Sequence, residues 1–139
     1  MHPYHHALSS ARKFGGEPSD YQHIHDWFDA SKEFICDFRH RALRHHAQGI
    51  FEAERVFGVT LTLASTVSRF NPDGRKVPTR LVGEQHVRED CGRIPSLADW
   101  LRTIKGEPWM HKNVREDGVS NANHDHAGDL AVADQLRRD

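Results

Sequence analysis

The chain has 139 residues, 37% of them hydrophobic and 28% charged, which suits one modest core and gives no reason to expect two domains. Nineteen Lys and Arg nearly balance twenty Asp and Glu, so no basic excess points to nucleic acid and no acidic excess to a basic partner. Mean hydropathy is -0.74, no run approaches the roughly 18 apolar residues of a membrane helix, and the opening residues carry no secretory pattern. With only Cys36 and Cys91 present, a disulfide framework is excluded and the expectation is a reduced, cytoplasmic protein without membrane association.

The opening HPYHHA is not a continuous histidine run and merges into an amphipathic pattern, so it reads as native sequence rather than as a tag. Pro3 suits the first turn of a helix, where its missing N–H is no loss. Tyr4, Leu8 and Ala11 then share a stripe, and Gly15-Gly16 ends the element. Ser19-Asp20-Tyr21-Gln22 reads as a capping box, behind which Tyr21, Ile24 and Phe28 keep helical spacing. The Asp29-Ala30-Ser31 stretch either breaks this helix or is spanned by it.

The strongest element is a long helix over Ser31–Phe57, with Ile35, Ala42, Gly49, Ile50, Ala53 and Phe57 on one broad face and Gly58 as its stop. The period then changes. Val59, Leu61 and Leu63 alternate with Thr60 and Thr62, Asn71-Pro72-Asp73-Gly74 is a turn, and Val77, Thr79 and Leu81 alternate beyond it. This predicts a β-hairpin whose second strand, carrying Pro78, lies at an edge. A short polar helix over Glu84–Cys91 follows, closed by Gly92. Ser96-Leu97-Ala98-Asp99 opens another, with Leu97, Trp100, Leu101 and Ile104 facing inward. Past His111 the apolar pattern fades, and Ala127–Arg138 is either a weak helix or disordered. The expected class is α+β: a mainly helical single domain over 1–110, with a long central helix packed with a two-stranded hairpin, and a polar tail over 111–139.

Eight of the twelve histidines stand at or before residue 46: His2, His5, His6, His23, His25, His40, His45 and His46. Imidazole ligates Zn, Ni, Cu or Fe and exchanges protons near neutral pH. On the long helix, Phe38, Ala42, His45 and Gly49 form one edge of the apolar face and Leu43, His46, Ile50 and Ala53 the other, so both adjacent imidazoles point partly inward. Glu52 lies two turns beyond His45 on nearly the same line. His86 and Asp90 are one helical turn apart and suit one ion. His5 is placed to reach a shared site, with His6 facing water, and His25 is a further ligand candidate. His23 and His40 read as surface residues, and His124 and His126 as part of a mobile loop.

The order His6, His25-Asp26, Asp90 is similar to that of helical metal phosphohydrolases, but among twelve histidines it arises easily by chance. HExxH, paired CxxC, Gly-rich phosphate loops and GxSxG are missing, and Val59–Phe70 lacks the histidine that a His-Me nuclease hairpin would need. The stretch Arg39-His40-Arg41-Ala42-Leu43-Arg44 either meets phosphates and carboxylates or forms a solvated face with Glu33 and Asp37.

At HPYHHALSSARKFGG, IHDWFD, FRHRALRHHAQGIF, VGEQHVRED and the closing DWL…PWM, the sequence resembles a family of small uncharacterised proteins of bacteria and their phages. The resemblance covers roughly residues 1–110 and implies that the five motifs belong to one domain. It brings no activity and no catalytic role.

Two functional expectations follow. The first is a metal-binding protein holding a divalent transition ion, Zn or Ni-like, with metal-dependent hydrolase activity on a polar or phosphate-containing small substrate. Its ligands would be His45, His46 and His86, with His5 and His25 in second rank, and Asp90 or Glu52 as carboxylate ligand or general base. The second is a non-catalytic accessory binding module whose histidines serve hydrogen-bond networks. The partner is a small molecule or a protein, and self-association is left open.

Overall fold

A computed structural model describes residues 1–111; the expected tail beyond them, with His124, His126 and Ala127–Arg138, lies outside the described residues. The described residues divide into two units, a compact one over Met1–Thr103 and a second that begins at Ile104. In the second, a 3-10 turn at Pro108–Met110 is the described element. The first is an α+β unit of six helices and a two-stranded antiparallel sheet.

Helix α1 spans Pro3–Phe14 and stops at Gly15, whose φ of 90° suits a residue without a side chain. Its inward face is His6, Ala7 and Ser10, whereas Tyr4 of the expected stripe is 48% exposed. Helix α2, Pro18–Asp29, begins one residue before the expected serine cap. Glu17 is the N-cap, and Asp20 three residues on completes a capping box: its carboxylate accepts the Glu17 N–H at 2.9 Å and also the Ser65 N–H at 3.0 Å, tying α2 to the end of the first strand.

The continuous helix expected over Ser31–Phe57 is interrupted. It resolves into 3-10 turns at Ala30–Glu33 and Phe38–His40, helix α3 at Arg41–Arg44 and helix α4 at Ala47–Phe57. His45 (φ -86°, ψ 66°) leaves the helical region, and His46 is fully extended (φ -160°, ψ 170°). The His46 ring then caps α4, its Nδ1 accepting the Gly49 N–H at 3.0 Å. Gly49 lies so close to the Arg44 backbone that a Cβ there would collide with the Arg44 carbonyl. The apolar repeat of residues 49–53 survives within α4, where Gly49, Ile50 and Ala53 are buried.

Strands β1 (Thr60–Leu63) and β2 (Arg75–Pro78) pair with Leu61 opposite Val77 and Leu63 opposite Arg75. The alternation expected to continue through Leu81 ends at Pro78, and helix α5 runs Thr79–Cys91. Its buried residues Thr79, Val82, Gly83 and His86 follow helical spacing, while Leu81 is exposed. Helix α6, Leu97–Leu101, is capped by Ser96 as expected, with Ser96 Oγ accepting the Asp99 N–H at 3.1 Å. Being only five residues long it stays on the surface: Leu97 and Leu101 are exposed rather than inward, and half-buried Trp100 donates its indole N–H to the His45 carbonyl at 3.0 Å.

Helix α1 packs along α2, and α5 packs against α4, α2 and α1. Tyr21, Ile24, Phe28, Leu63, Val82 and Val87 fill the dry part of the interior. The rest of that interior is polar.

Candidate metal centre

Four segments converge on the polar interior: α1 brings His6 and Ser10, α2 brings His25 and Asp29, the residues around α3 bring His40 and His45, and α5 brings Gln85, His86 and Asp90. All but Asp90 are at most 5% exposed as whole residues, and the Asp90 side chain is 2% exposed. Two helical pairs set the frame. His25 and Asp29, like His86 and Asp90, stand four apart and so share a helix face.

The ring nitrogens close on the two carboxylates. Asp29 Oδ1 lies 3.5 Å from His40 Nε2 and 3.6 Å from both His45 Nε2 and His86 Nε2. Asp90 Oδ2 lies 3.2 Å from His45 Nε2 and 3.7 Å from His86 Nε2, and its Oδ1 lies 3.3 Å from His6 Nε2. The Nε2 atoms of His45 and His86 are 3.1 Å apart. Ligands held about 2.0–2.1 Å from a tetrahedral ion would themselves be about 3.3–3.4 Å apart. The observed spacings straddle that value.

Outer contacts select which ring nitrogen faces inward, the tautomers being assigned from the hydrogen-bond network. His6 Nδ1–H donates to Glu89 Oε2 at 2.5 Å, and Glu89 also accepts from Ser9 Oγ and, at 2.9 Å, from Gln85 Nε2. His40 Nδ1–H donates to the Asp37 carbonyl at 2.6 Å. His86 Nδ1–H donates to His25 Nδ1 at 2.9 Å, and His25 Nε2–H passes the chain on to Ser10 Oγ at 2.9 Å. Three imidazoles are thereby left with an Nε2 lone pair pointing inward, the arrangement that orients ligating histidines in metal centres. Among the described residues, His6 Nε2, His40 Nε2 and Asp29 Oδ1 are buried without a hydrogen-bond partner. Phe28, wholly buried, stacks on His86 at 4.9 Å between ring centres and walls the cluster from the dry core.

Burial, reinforced by His86 and His6 alongside, pushes His25 down to about 2. Burial likewise takes His86 down to about 4, with Asp29 only partly opposing it. Both rings are therefore neutral at physiological pH and able to offer lone pairs. His6 moves the other way: burial lowers it, but Asp90 and Glu89 outweigh that and raise it. Burial also works against ionisation of Asp29 and Asp90, yet the facing imidazoles, with Lys32 at Asp29, hold both carboxyls below the usual range. At 3.6 Å the rings facing Asp29 exceed hydrogen-bond length, so its one close cation is Lys32 Nζ, 2.9 Å from Oδ2.

Of the residues singled out from sequence, His45, His86 and Asp90 are brought together, and His25 stands behind His86 rather than facing the carboxylates. Three are not brought in. His46 is buried, but its ring is spent on backbone, Nδ1 on Gly49 and Nε2 3.2 Å from the Leu43 carbonyl. His5 is exposed and its neighbour His6 is wholly buried, the reverse of the expectation, because α1 is rotated by about one residue from its apolar stripe. Glu52, two turns along an uninterrupted helix, is carried off by the break at His45–His46 and stays half-buried on α4, outside both carboxylate clusters. Asp26 of the His25-Asp26 pair is exposed and bonded to Gln22.

Sequence reasoning missed His6, Asp29 and His40. A usable signal existed for one of them: His25-x-x-x-Asp29 repeats the His86-x-x-x-Asp90 spacing.

Asp90 also lines a groove of about 440 Å³ with Arg41, Arg93, Pro95 and Trp100 among its walls. Arg41 Nε lies 3.8 Å from Asp90 Oδ2 and has no hydrogen-bond partner among the described residues. Arg93 is held by Asp99 at 3.1 Å. No helix among the described residues is long and apolar enough to cross a membrane.

The family described as a domain of unknown function, DUF6915, matches residues 1–110, and the chain belongs to this family. Neither a curated protein nor a solved structure matches the chain.

Proposed function

We propose that this DUF6915 protein binds a divalent transition metal through its buried His/Asp cluster and uses it to hydrolyse a small phosphate-containing substrate. The observation that carries the reading is the fixed direction of the rings. His6 and His40 each spend Nδ1 on an outer acceptor and turn a buried Nε2 without a hydrogen-bond partner among the described residues toward the carboxylates, while the Nε2 atoms of His86 and His45 meet each other and Asp90. Part-exposed Lys32 reaches Asp29 Oδ2 and the Met1 amino group reaches Asp90 Oδ1, but inside them lone pairs facing ionised oxygens are costly to bury without a further cation. A Zn- or Ni-like ion supplies the missing positive charge and suits an imidazole-rich ligand set.

In this reading His6, His40, His45, His86, Asp29 and Asp90 are the ligands, while His25 and Glu89 orient rings. A bound ion would lower the pKa of its water to about 7. That chemistry would suit attack by water on the phosphorus of an ester, with the P–O bond to the leaving group broken and its oxygen taking the proton that the water gives up. Arg41, beside Asp90 at the groove, is the chain's own group for the substrate's negative charge.

Elemental analysis of untagged protein purified without added metal tests the first step, with about one equivalent or more of a transition metal expected. Less than a tenth of an equivalent, together with no thermal stabilisation by Zn or Ni, would overturn it. Replacing His86 and Asp90 together with Ala should remove the metal, whereas His5→Ala should not. A panel of phosphomonoesters, phosphodiesters and nucleotides, with and without chelator, then tests hydrolysis. One observation favours a second reading, a non-catalytic module with a structural ion. Six groups on one ion would fill an octahedron and leave no position for water.

A further inference from the structure

Resting on the metal reading above, we infer that the centre takes two ions rather than one, with Asp29 as the bridging ligand. The cluster falls into two groups that share this residue: His6, His86, Asp90 and Asp29 on one side, His40, His45 and Asp29 on the other. The flanking histidines divide accordingly. His6 approaches Asp90 at 3.3 Å and His40 approaches Asp29 at 3.5 Å, and neither makes the reciprocal contact.

Asp29 is suited to bridging. Its Oδ1 is buried without a hydrogen-bond partner among the described residues and is nearly equidistant from His40, His45 and His86, while Oδ2 faces part-exposed Lys32 Nζ at 2.9 Å, a contact that an ion would displace. The two groups also touch, with His45 Nε2 3.1 Å from His86 Nε2 and 3.2 Å from Asp90 Oδ2. That closeness fits the ion separation of about 3.5–4 Å found in two-metal hydrolytic centres.

Ligand counting points the same way. Two ions with two imidazoles each and shared carboxylates keep positions free for water and substrate, whereas one ion on all six groups keeps none. Charge does too: two divalent ions bring four positive charges against two carboxylates, and the surplus lies beside Arg41 at the groove. A phosphate ester dianion matches that surplus, which narrows the substrate class to phosphate esters over neutral polar molecules.

The test uses the full chain stripped with EDTA and titrated with Mn2+ alone. Equilibrium dialysis should give two bound ions per chain, and electron paramagnetic resonance of the loaded protein should show an exchange-coupled signal from a carboxylate-bridged pair. His40→Gln should lower the count to one ion and replace the coupled signal by that of isolated Mn2+, and His6→Gln should do the same from the other side. One ion per wild-type chain with an uncoupled signal overturns the two-ion inference and leaves the metal reading standing. No binding of Mn2+, nor of Zn2+ or Ni2+ in the same dialysis, overturns both. Should either variant fail to fold, the wild-type count and signal decide the question unaided.

Discussion

Replacing Asp29 with Asn separates a cluster built for a cation from a self-sufficient hydrogen-bond network. In the metal-free protein this carboxylate is 5% exposed, and its Oδ1 faces imidazole nitrogens at 3.5–3.6 Å. An amide of the same shape puts an N–H where the carboxylate puts an oxygen, facing the lone pairs of His40 and His86. Relieving a buried, unsatisfied charged acceptor is worth about 1–3 kcal/mol. The lost ion pair to Lys32, whose side chain is 39% exposed, takes back about 0.2–1 kcal/mol. Asp29→Asn should therefore leave the metal-free protein between unchanged and about 3 kcal/mol more stable, a Tm rise of at most roughly 12 °C for a domain of this size. Metal reverses the order. At about 100 times Kd a single site adds about 2.7 kcal/mol to the wild type, and a variant without the bridging carboxylate loses most of that. Thermal and urea melts of both proteins in EDTA and in excess Zn2+ or Mn2+ read out all four values. If the variant is more than about 1 kcal/mol less stable than wild type in EDTA, the carboxylate is a satisfied member of a network and the reasoning fails.

Glu89→Ala removes the acceptor that fixes His6, and metal affinity measured by calorimetry should fall about 10–100-fold while the count per chain is kept. His46→Ala should cost about 0.5–2 kcal/mol in urea melts through the lost cap on α4, with metal content unchanged. Gly49→Ala drives a methyl into the Arg44 carbonyl, so melts should show a loss of about 2 kcal/mol or more, and metal binding should weaken as His45 shifts. Asp20 gives the pH dependence. Burial opposes its charge, but Ser65 and the backbone N–H groups of Glu17 and Ser65 outweigh this and hold it below its ordinary value of 3.8. Its contribution is present above that value and lost as pH falls through the lowered one, so Asp20→Asn should flatten the acid limb of a stability-against-pH curve.

Where apolar residues line the interior, the sequence was a sufficient guide. Tyr21, Ile24 and Phe28 marked the inward face of α2, and Leu61, Leu63 and Val77 marked the buried side of the hairpin. Reading failed where the interior is polar, because hydrophobic periodicity assigns histidine and serine to solvent. That rotated α1, put Tyr4 inside in place of His6 and left His40 on the surface. The break at His45–His46 was hidden for a different reason. Nothing in Arg44-His45-His46-Ala47 opposes a helix locally, and the extended His46 is stabilised by a cap made with its own ring and by Gly49's close approach to the Arg44 backbone. Glu52 followed from that error, since its alignment with His45 needed an unbroken helix. His86 and Asp90 were legible because both stand on one uninterrupted helix, where spacing alone sets neighbours.

His6 and Asp90 lie near opposite ends of the first compact unit, Met1–Thr103, and come to 3.3 Å of one another. An ion held between them would act as a reversible crosslink around a loop of about 85 residues, a closure for which chain-entropy arguments give about 4–5 kcal/mol in the disulfide case. In a chain whose Cys36 and Cys91 are both free thiols, the clasp would be made by imidazole and carboxylate. It would tie the first helix to the fifth only after every segment between them had found its place.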